Sequence, residues 1–150
     1  MNKIDRRGAI HLFLTFLATF LINPKSIFAS NANKNRRLVE KSMKKFIADN
    51  KIMDQLVKLD VANVAEDGRA VPIQIDGGSI TASKAALWVD NNPRPKIFEV
   101  EFSMQFPGNS KFATRIRMKE TSTVRLVIIG SDKKAYSQSK VVQVAVGGCG

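Results

Sequence analysis

The sequence of 150 residues predicts an all-β, immunoglobulin-like antiparallel β-sandwich with a short N-terminal helical segment and a mobile C-terminal arm. Three observations lead to this fold class. Apolar residues recur every three or four positions over 34–59, and from Val61 onward they alternate with polar residues instead. Turn-forming residues then separate six or seven short strand candidates, a spacing that is typical of sandwiches.

Residues 1–29 have the layout of an export signal peptide, because a basic start precedes an apolar run and small residues follow. The apolar run, 9–22, is shorter than the roughly 20 residues that cross a bilayer as a helix. The pair Arg6-Arg7 favours twin-arginine export over general secretion, and an uncleaved membrane anchor is the third interpretation. We therefore expect a periplasmic protein that is free of the membrane after cleavage.

The polar stretch 30–35 is interpreted as a linker, and the domain proper extends over 36–150. The amphipathic pattern of 34–59 indicates a helix that packs against its own domain, which we favour over binding to a membrane surface. The pattern breaks at Asp49-Asn50, and a short second helix or turn is expected after it. The apolar face comprises Leu38, Val39, Met43, Phe46 and Ile47, and the polar face comprises Arg36, Arg37, Glu40, Lys41, Lys44 and Lys45.

The stretches "FEVEFSMQF" and "KFATRIRMK" alternate apolar and polar side chains, as half-buried strands do. The turn sequence "PGNS" between them predicts a hairpin. The register that aligns their apolar faces sets Glu101 opposite Arg117 and Glu99 opposite Lys119, which matches opposite charges. The side chains predicted to point inward are Phe98, Val100, Phe102, Met104, Phe106, Phe112, Thr114, Ile116 and Met118.

Further strand candidates complete the predicted sandwich, and the turn sequences "DGG", "DNNPRP", "KETS" and "GSDKK" fit between them. Trp88 and Tyr136 are then core or corner residues. The candidates are 70–75, 80–89, 123–129 and 136–146.

The composition excludes several classes of catalytic site from the mature domain. The one histidine, His11, lies in the export signal, so no Ser-His-Asp triad, Cys-His pair or His-containing metal site is expected. A single cysteine rules out an internal disulfide and a thiolate cluster. Glu66, Asp67 and Asp132 lie in turn sequences and form no obvious catalytic carboxylate pair. We expect neither enzymatic activity nor a bound metal.

A basic strand face carries Lys111, Arg115, Arg117 and Lys119, with Arg125 expected nearby. Binding of single-stranded nucleic acid is disfavoured, because such sites interleave cations with exposed aromatic rings and the aromatic residues here fall on inward positions. We interpret the strip as a solvated face partly paired with Glu99 and Glu101; a weak field that attracts anionic ligands or acidic partners is the alternative.

The final stretch "VVQVAVGGCG" places the only cysteine, Cys149, after a strand and two glycines. Gly147 and Gly148 have no side chain, so the segment is thin enough to enter a narrow pocket. A frayed end with an incidental cysteine is the plain alternative, but a free thiol in an oxidising compartment would form unwanted disulfides. We expect the thiol pKa at or above the reference of about 8.5, so that partner enzymes activate the sulfur.

Four stretches, "NVAEDGRAVPIQI", "ALWVDNNPRPKIFEVEF", "ATRIRMKETSTV" and "VVQVAVGGCG", resemble the SoxY family of sulfur carriers in bacterial sulfur oxidation, over roughly 38–150. The resemblance implies that Cys149 covalently carries thiosulfate-derived sulfur intermediates, with no other cofactor. It also implies that 147–150 act as a swinging arm in which Gly147, Gly148 and Gly150 provide the flexibility. The family pattern ends in one more glycine, whose lack would bring the terminal carboxylate closer to the thiol.

The resemblance further implies a heterodimer with a SoxZ-like subunit and a set of client enzymes. These are a c-type cytochrome that loads thiosulfate, a dimanganese thiohydrolase that releases sulfate and, in some organisms, a sulfane dehydrogenase. The competing hypothesis from the residues is an exported interaction module whose tail cysteine forms an intermolecular disulfide. A ubiquitin-like thiocarboxylate carrier is disfavoured, because the chain ends in Cys149-Gly150.

Overall fold

The computed structural model describes residues 24–54, 57–103 and 106–145. The chain divides into two units, Met1–Asn31 and Ala32–Gly150, and every described strand belongs to the second. The described residues form one helix, α1 (Pro24–Ile47), and the strands β1 (Lys51–Asp54), β2 (Lys58–Val61), β3 (Val64–Ala65), β4 (Val71–Asp76), β5 (Ala82–Val89), β6 (Lys96–Glu101), β7 (Phe112–Ile116), β8 (Ser122–Gly130) and β9 (Lys134–Val144).

The strands form two sheets that pack face to face. The larger sheet has the order β1-β9-β8-β5-β6, with β3 paired to the end of β9, and the smaller has the order β2-β4-β7. Pairing is antiparallel except for β1 and β3, which run parallel to β9. The predicted β-sandwich with an N-terminal helix is therefore confirmed.

The main core lies between the two sheets and follows from the alternation along the strands. In β4 the pattern is strictly buried and exposed in turn, with Ile73 and Ile75 each only 1% exposed. Leu126 and Ile128 of β8 meet them from the larger sheet. Burying a side chain of this size stabilises the fold by about 1.5–3 kcal/mol, so each residue of this row contributes to the stability of the sandwich.

The predicted hairpin between the two Phe-rich strands is wrong, because β6 and β7 lie in different sheets. β6 pairs with β5, and β7 pairs with β4. Phe98 and Phe112 both point into the core, but they meet across it, with ring centroids 5.9 Å apart. Thr114 shares the inward face of β7 and is nevertheless exposed, because β7 is an edge strand. Phe106 is also exposed, and Met104 lies outside the described residues.

A second, smaller core lies between α1 and the outer face of the larger sheet. Val39 is buried there, and Met43, Phe46 and Ile47 pack beside it, as the helical spacing predicts. Trp88 of β5 is fully buried, its indole Nε1 donates to Ser42 Oγ at 3.1 Å, and the Phe46 ring meets it edge-on. Packing of the helix against its own domain is confirmed. Leu38, predicted on the same face, is 48% exposed.

Helix α1 ends at Ile47, earlier than predicted. Ala48 takes a left-handed conformation with φ 48°, and Asn50 Nδ2 donates to the Ile47 carbonyl at 2.7 Å. The chain then forms the strands β1 and β2, so the prediction of a short second helix or turn after Asn50 is wrong. The helix also includes 30–35, which is therefore helical rather than irregular. No helix among the described residues combines the length and hydropathy of a membrane span.

Candidate functional site at the root of the C-terminal segment

The predicted site residues Gly147, Gly148, Cys149 and Gly150 lie outside the described residues, which end at Ala145. The structure does describe the point at which the chain enters this segment, here called the root (143–145). The geometry of the root defines how the terminal residues are attached to the domain.

Three backbone amides of the root are held by neighbouring parts of the chain. Gln143 N donates to the Asn63 carbonyl at 2.8 Å, and Ala145 N donates to the Ala65 carbonyl at 2.9 Å. From the other side, Val144 N donates to Thr121 Oγ1 at 3.0 Å. The root is therefore anchored from two sides, by 63–65 and by Thr121, up to the last described residue.

The loop that follows β3 closes against the same place. Met118 N donates to the Gly68 carbonyl at 2.7 Å. Gly68 has no room for a side chain, because a Cβ there would overlap the Met118 carbonyl oxygen and lie 2.9 Å from Val144 Cγ1. A glycine is thus required here by close backbone approach.

Asn92 fixes the segment that runs past the root. Its side chain is 7% exposed; Nδ2 donates to the Arg117 carbonyl at 2.7 Å, and Oδ1 accepts from Lys119 N at 3.0 Å. The neighbouring Asn91 donates from Nδ2 to the Thr121 carbonyl at 2.9 Å. One loop of the larger sheet therefore determines the path of 117–121.

The cations of this segment are exposed. Arg117 and Lys119 are both exposed, and neither the Arg117 guanidinium nor the Lys119 ammonium makes a hydrogen bond or ion pair with another described residue. Arg69, at the same end, pairs with Asp67 at 3.1 Å in its own turn, and this hydrogen bond lowers the pKa of Asp67. Among the described residues, the root thus lies beside two cations that the fold leaves unpaired.

Two expectations about the basic strip are wrong. Glu99 and Glu101 do not pair with it; they bind Lys96 at 2.7 Å and Lys84 at 2.8 Å within the larger sheet. Arg125 lies on the outer face of the larger sheet, where both of its contacts to the Asp90 carboxylate measure 2.8 Å. The hydrogen bond to Asp90 raises the pKa of Arg125.

The structure brings together the four stretches that carry the family resemblance. Sequence reasoning identified the stretches and placed Gly68, Asn92 and Thr121 in turns, but it did not predict their contacts, which join residues 23–50 positions apart. The turn sequences were the available signal. Within the described ranges, no group of three or more His, Cys, Asp or Glu is placed to hold a metal ion.

A family model described as "Sulfur oxidation protein SoxY" matches residues 43–149. A search among curated proteins finds no match.

Among solved structures, the sulfur carrier protein SoxY from Chlorobium limicola f thiosulfatophilum is similar, with a TM-score of 0.61 and 17% identity, covering 72% of this chain and 96% of that one. Superoxide reductase (neelaredoxin) from Ignicoccus hospitalis is similar with a TM-score of 0.51 and 12% identity, covering 61% and 81%. A single-residue variant of that reductase gives a TM-score of 0.52 and 10% identity, covering 65% and 83%. At these identities the likeness to solved structures shows the fold alone.

Proposed function

Because this chain belongs to the SoxY family of sulfur oxidation proteins, we propose that Cys149 carries thiosulfate-derived intermediates covalently and presents them to partner enzymes in the periplasm. Membership in the family supports a sulfur carrier in sulfur oxidation.

The observation that carries this proposal is the extent of the family match. The match runs to residue 149, and Cys149 is the only cysteine of the chain. The anchored root supports a carrier role, because four residues from Ala145 give the Cys149 position a reach of roughly 13–14 Å. A sulfur atom on such a tether can enter a partner's active site that the folded domain cannot enter.

The chemistry of loading requires an electron acceptor from outside the carrier. The Cys149 thiol and thiosulfate form an S-thiosulfonate, R–S–S–SO₃⁻, and release one proton and two electrons. We propose that a c-type cytochrome takes the electrons, that a dimanganese thiohydrolase then releases sulfate, and that a sulfane dehydrogenase is a further client. A SoxZ-like subunit is the proposed heterodimer partner. The carrier then supplies a nucleophilic sulfur and a tether rather than catalysis.

The test is intact-protein mass spectrometry after incubation with thiosulfate and the loading cytochrome. We expect a mass gain that maps to Cys149 and is abolished in Cys149→Ser. Equal loading of the serine variant would contradict the proposal. Non-reducing electrophoresis tests the competing hypothesis, since a stable disulfide-linked dimer with full activity would favour an interaction module.

A further inference from the structure

The side chains of Arg117 and Lys119 project from the surface close to the root. Thr121 Oγ1 accepts from Val144 N at 3.0 Å, and one residue, Glu120, lies between Thr121 and Lys119, so their Cα atoms are at most about 7 Å apart. Met118, between the two cations, donates its amide to Gly68, and Gly68 lies against the Val144 side chain. Both cations are therefore within the reach of a sulfur atom attached at position 149.

The groups that hold this end of the domain are neutral. Asn92 binds the backbone of 117 and 119 with its amide, Thr121 binds with its hydroxyl, and the other acceptors are backbone carbonyls. The Asp67 carboxylate is occupied by Arg69, which leaves Glu66 and Glu120 as the other nearby carboxylates in the adjoining loops. The charges of Arg117 and Lys119 are thus not consumed by folding.

We propose that Arg117 and Lys119 bind the sulfonate group of anionic sulfur compounds while these are joined to, or carried on, Cys149. This inference rests on the proposed carrier role of Cys149. A guanidinium presents a planar fork of donors to two sulfonate oxygens, and an ammonium adds a point charge. Asn92 is the positioning residue, because its buried amide holds the backbone of both cations.

Tetrathionate provides an enzyme-free probe with the required charge. The Cys149 thiolate attacks a central sulfur of ⁻O₃S–S–S–SO₃⁻, which forms R–S–S–SO₃⁻ and expels thiosulfate, ⁻S–SO₃⁻, so atoms and charge balance. Neutral 4,4′-dithiodipyridine reacts with the same thiolate without a sulfonate. A substitution that changes the thiol pKa or the accessibility of the thiol alters both rate constants, so these effects cancel in their ratio. The ratio therefore reports the effect of the substitution on attraction of the sulfonate anion.

The variant Arg117→Gln/Lys119→Gln is compared with Lys51→Gln/Lys133→Gln in the full chain. The control removes two exposed lysines at the opposite end of β9, which is about 33 Å long. Two unit charges about 8 Å from an anion in water predict that the rate ratio falls about fivefold in the first variant at low salt. The fall should shrink as salt is added, because exposed charges are screened.

The control variant should keep the wild-type ratio. The variant Arg117→Lys/Lys119→Arg should also keep it, because both positive charges are retained. Equal ratios in the two neutralised variants would overturn the inference, because the effect would then come from net charge alone. An unchanged ratio in Arg117→Gln/Lys119→Gln would overturn it as well. Failure of the wild-type chain to gain mass at Cys149 with the cytochrome and thiosulfate would contradict the proposed function instead.

Discussion

The two ends of β9 are held by different chemistry. At its start, the Asp132 carboxylate accepts from Tyr136 Oη at 2.7 Å and pairs with Lys134 at 3.0 Å. At its end, Thr121 and backbone carbonyls hold the root and Asn92 holds the segment beside it, and none of these groups is charged. Charges at the start of the strand stabilise the turn, whereas at the end the cations remain available for an anion.

The difference shows that one strand can be anchored by charged groups at one end and by neutral groups at the other. An ionised acceptor makes a stronger hydrogen bond than a neutral one, but it also neutralises nearby cations. An amide or hydroxyl acceptor positions the backbone and leaves the surrounding charges as they are.

Replacing Asn92 with alanine should cause the largest loss of stability at the end of β9. Asn92→Ala leaves the Arg117 carbonyl and the Lys119 amide without their partner, and unpaired buried groups cost about 1–3 kcal/mol each. We expect the free energy of unfolding, measured by urea denaturation, to fall by about 2–4 kcal/mol. The neighbouring Asn91→Ala loses one exposed bond and should cost less. Equal losses in the two variants would show that Asn92 has no special role.

Replacing a glycine by alanine near each end of β9 should distinguish a rigid backbone neighbour from a side chain that can move. In Gly68→Ala the new Cβ meets the Met118 backbone carbonyl, which cannot move without shifting the segment beside the root. In Gly130→Ala it meets the side-chain carboxylate of Asp132. We expect a loss of about 1–3 kcal/mol for the first and a smaller loss for the second. Thermal unfolding of both variants checks the order, and a reversed order would contradict it.

Acid should reduce the stability contributed by the interactions at the start of β9 and leave that of the interactions at its end unchanged. The hydrogen bond from Tyr136 lowers the pKa of Asp132, with Lys134 adding to the effect. Its contribution to stability is therefore present above the unfolded pKa of about 3.9 and is lost as the pH falls through the folded value. Because the Asp132 side chain is 42% exposed, solvent screening keeps this contribution below about 1 kcal/mol.

The measurement is urea denaturation of wild type, Asp132→Asn and Asn92→Ala at about pH 6 and about pH 3. The gap between wild type and Asp132→Asn should narrow in acid, because the wild-type carboxylate becomes protonated. The cost of Asn92→Ala should not change, since its bonds involve only neutral groups. A pH-dependent cost of Asn92→Ala would remove the contrast between the two ends.

The strand faces could be predicted from the sequence because alternation is a local property. Phe98, Phe112 and Ile73 point inward as their spacing requires. The pairing of β6 could not be derived this way. Inward-pointing Phe98 and Phe112 are compatible with a hairpin, and they are equally compatible with two strands that face each other across a sandwich. The charge match that supported the hairpin was not unique, since Lys84 is an equally good partner for Glu101.

The helix end shows the same limit on a shorter scale. Ile52, Met53 and Val57 continue a spacing compatible with a helix, yet the chain turns at Ala48 and Asn50 and enters two short strands. These strands exist because β9 and β4 offer edges to pair with. The sequence around β1 and β2 does not contain these edges, because β9 and β4 lie further along the chain.

The sequence alone is enough to find the inward faces of the strands, the apolar stripe of the helix, the lone cysteine and the segments that identify the family. Only the folded domain shows that Asn63 and Thr121 hold the root while Gly68 and Asn92 hold the segment beside it, through contacts between residues far apart in the chain. Periodicity depends on neighbours a few positions apart. Which loops converge depends on how the two sheets close around one core, and that is settled only when the whole domain folds.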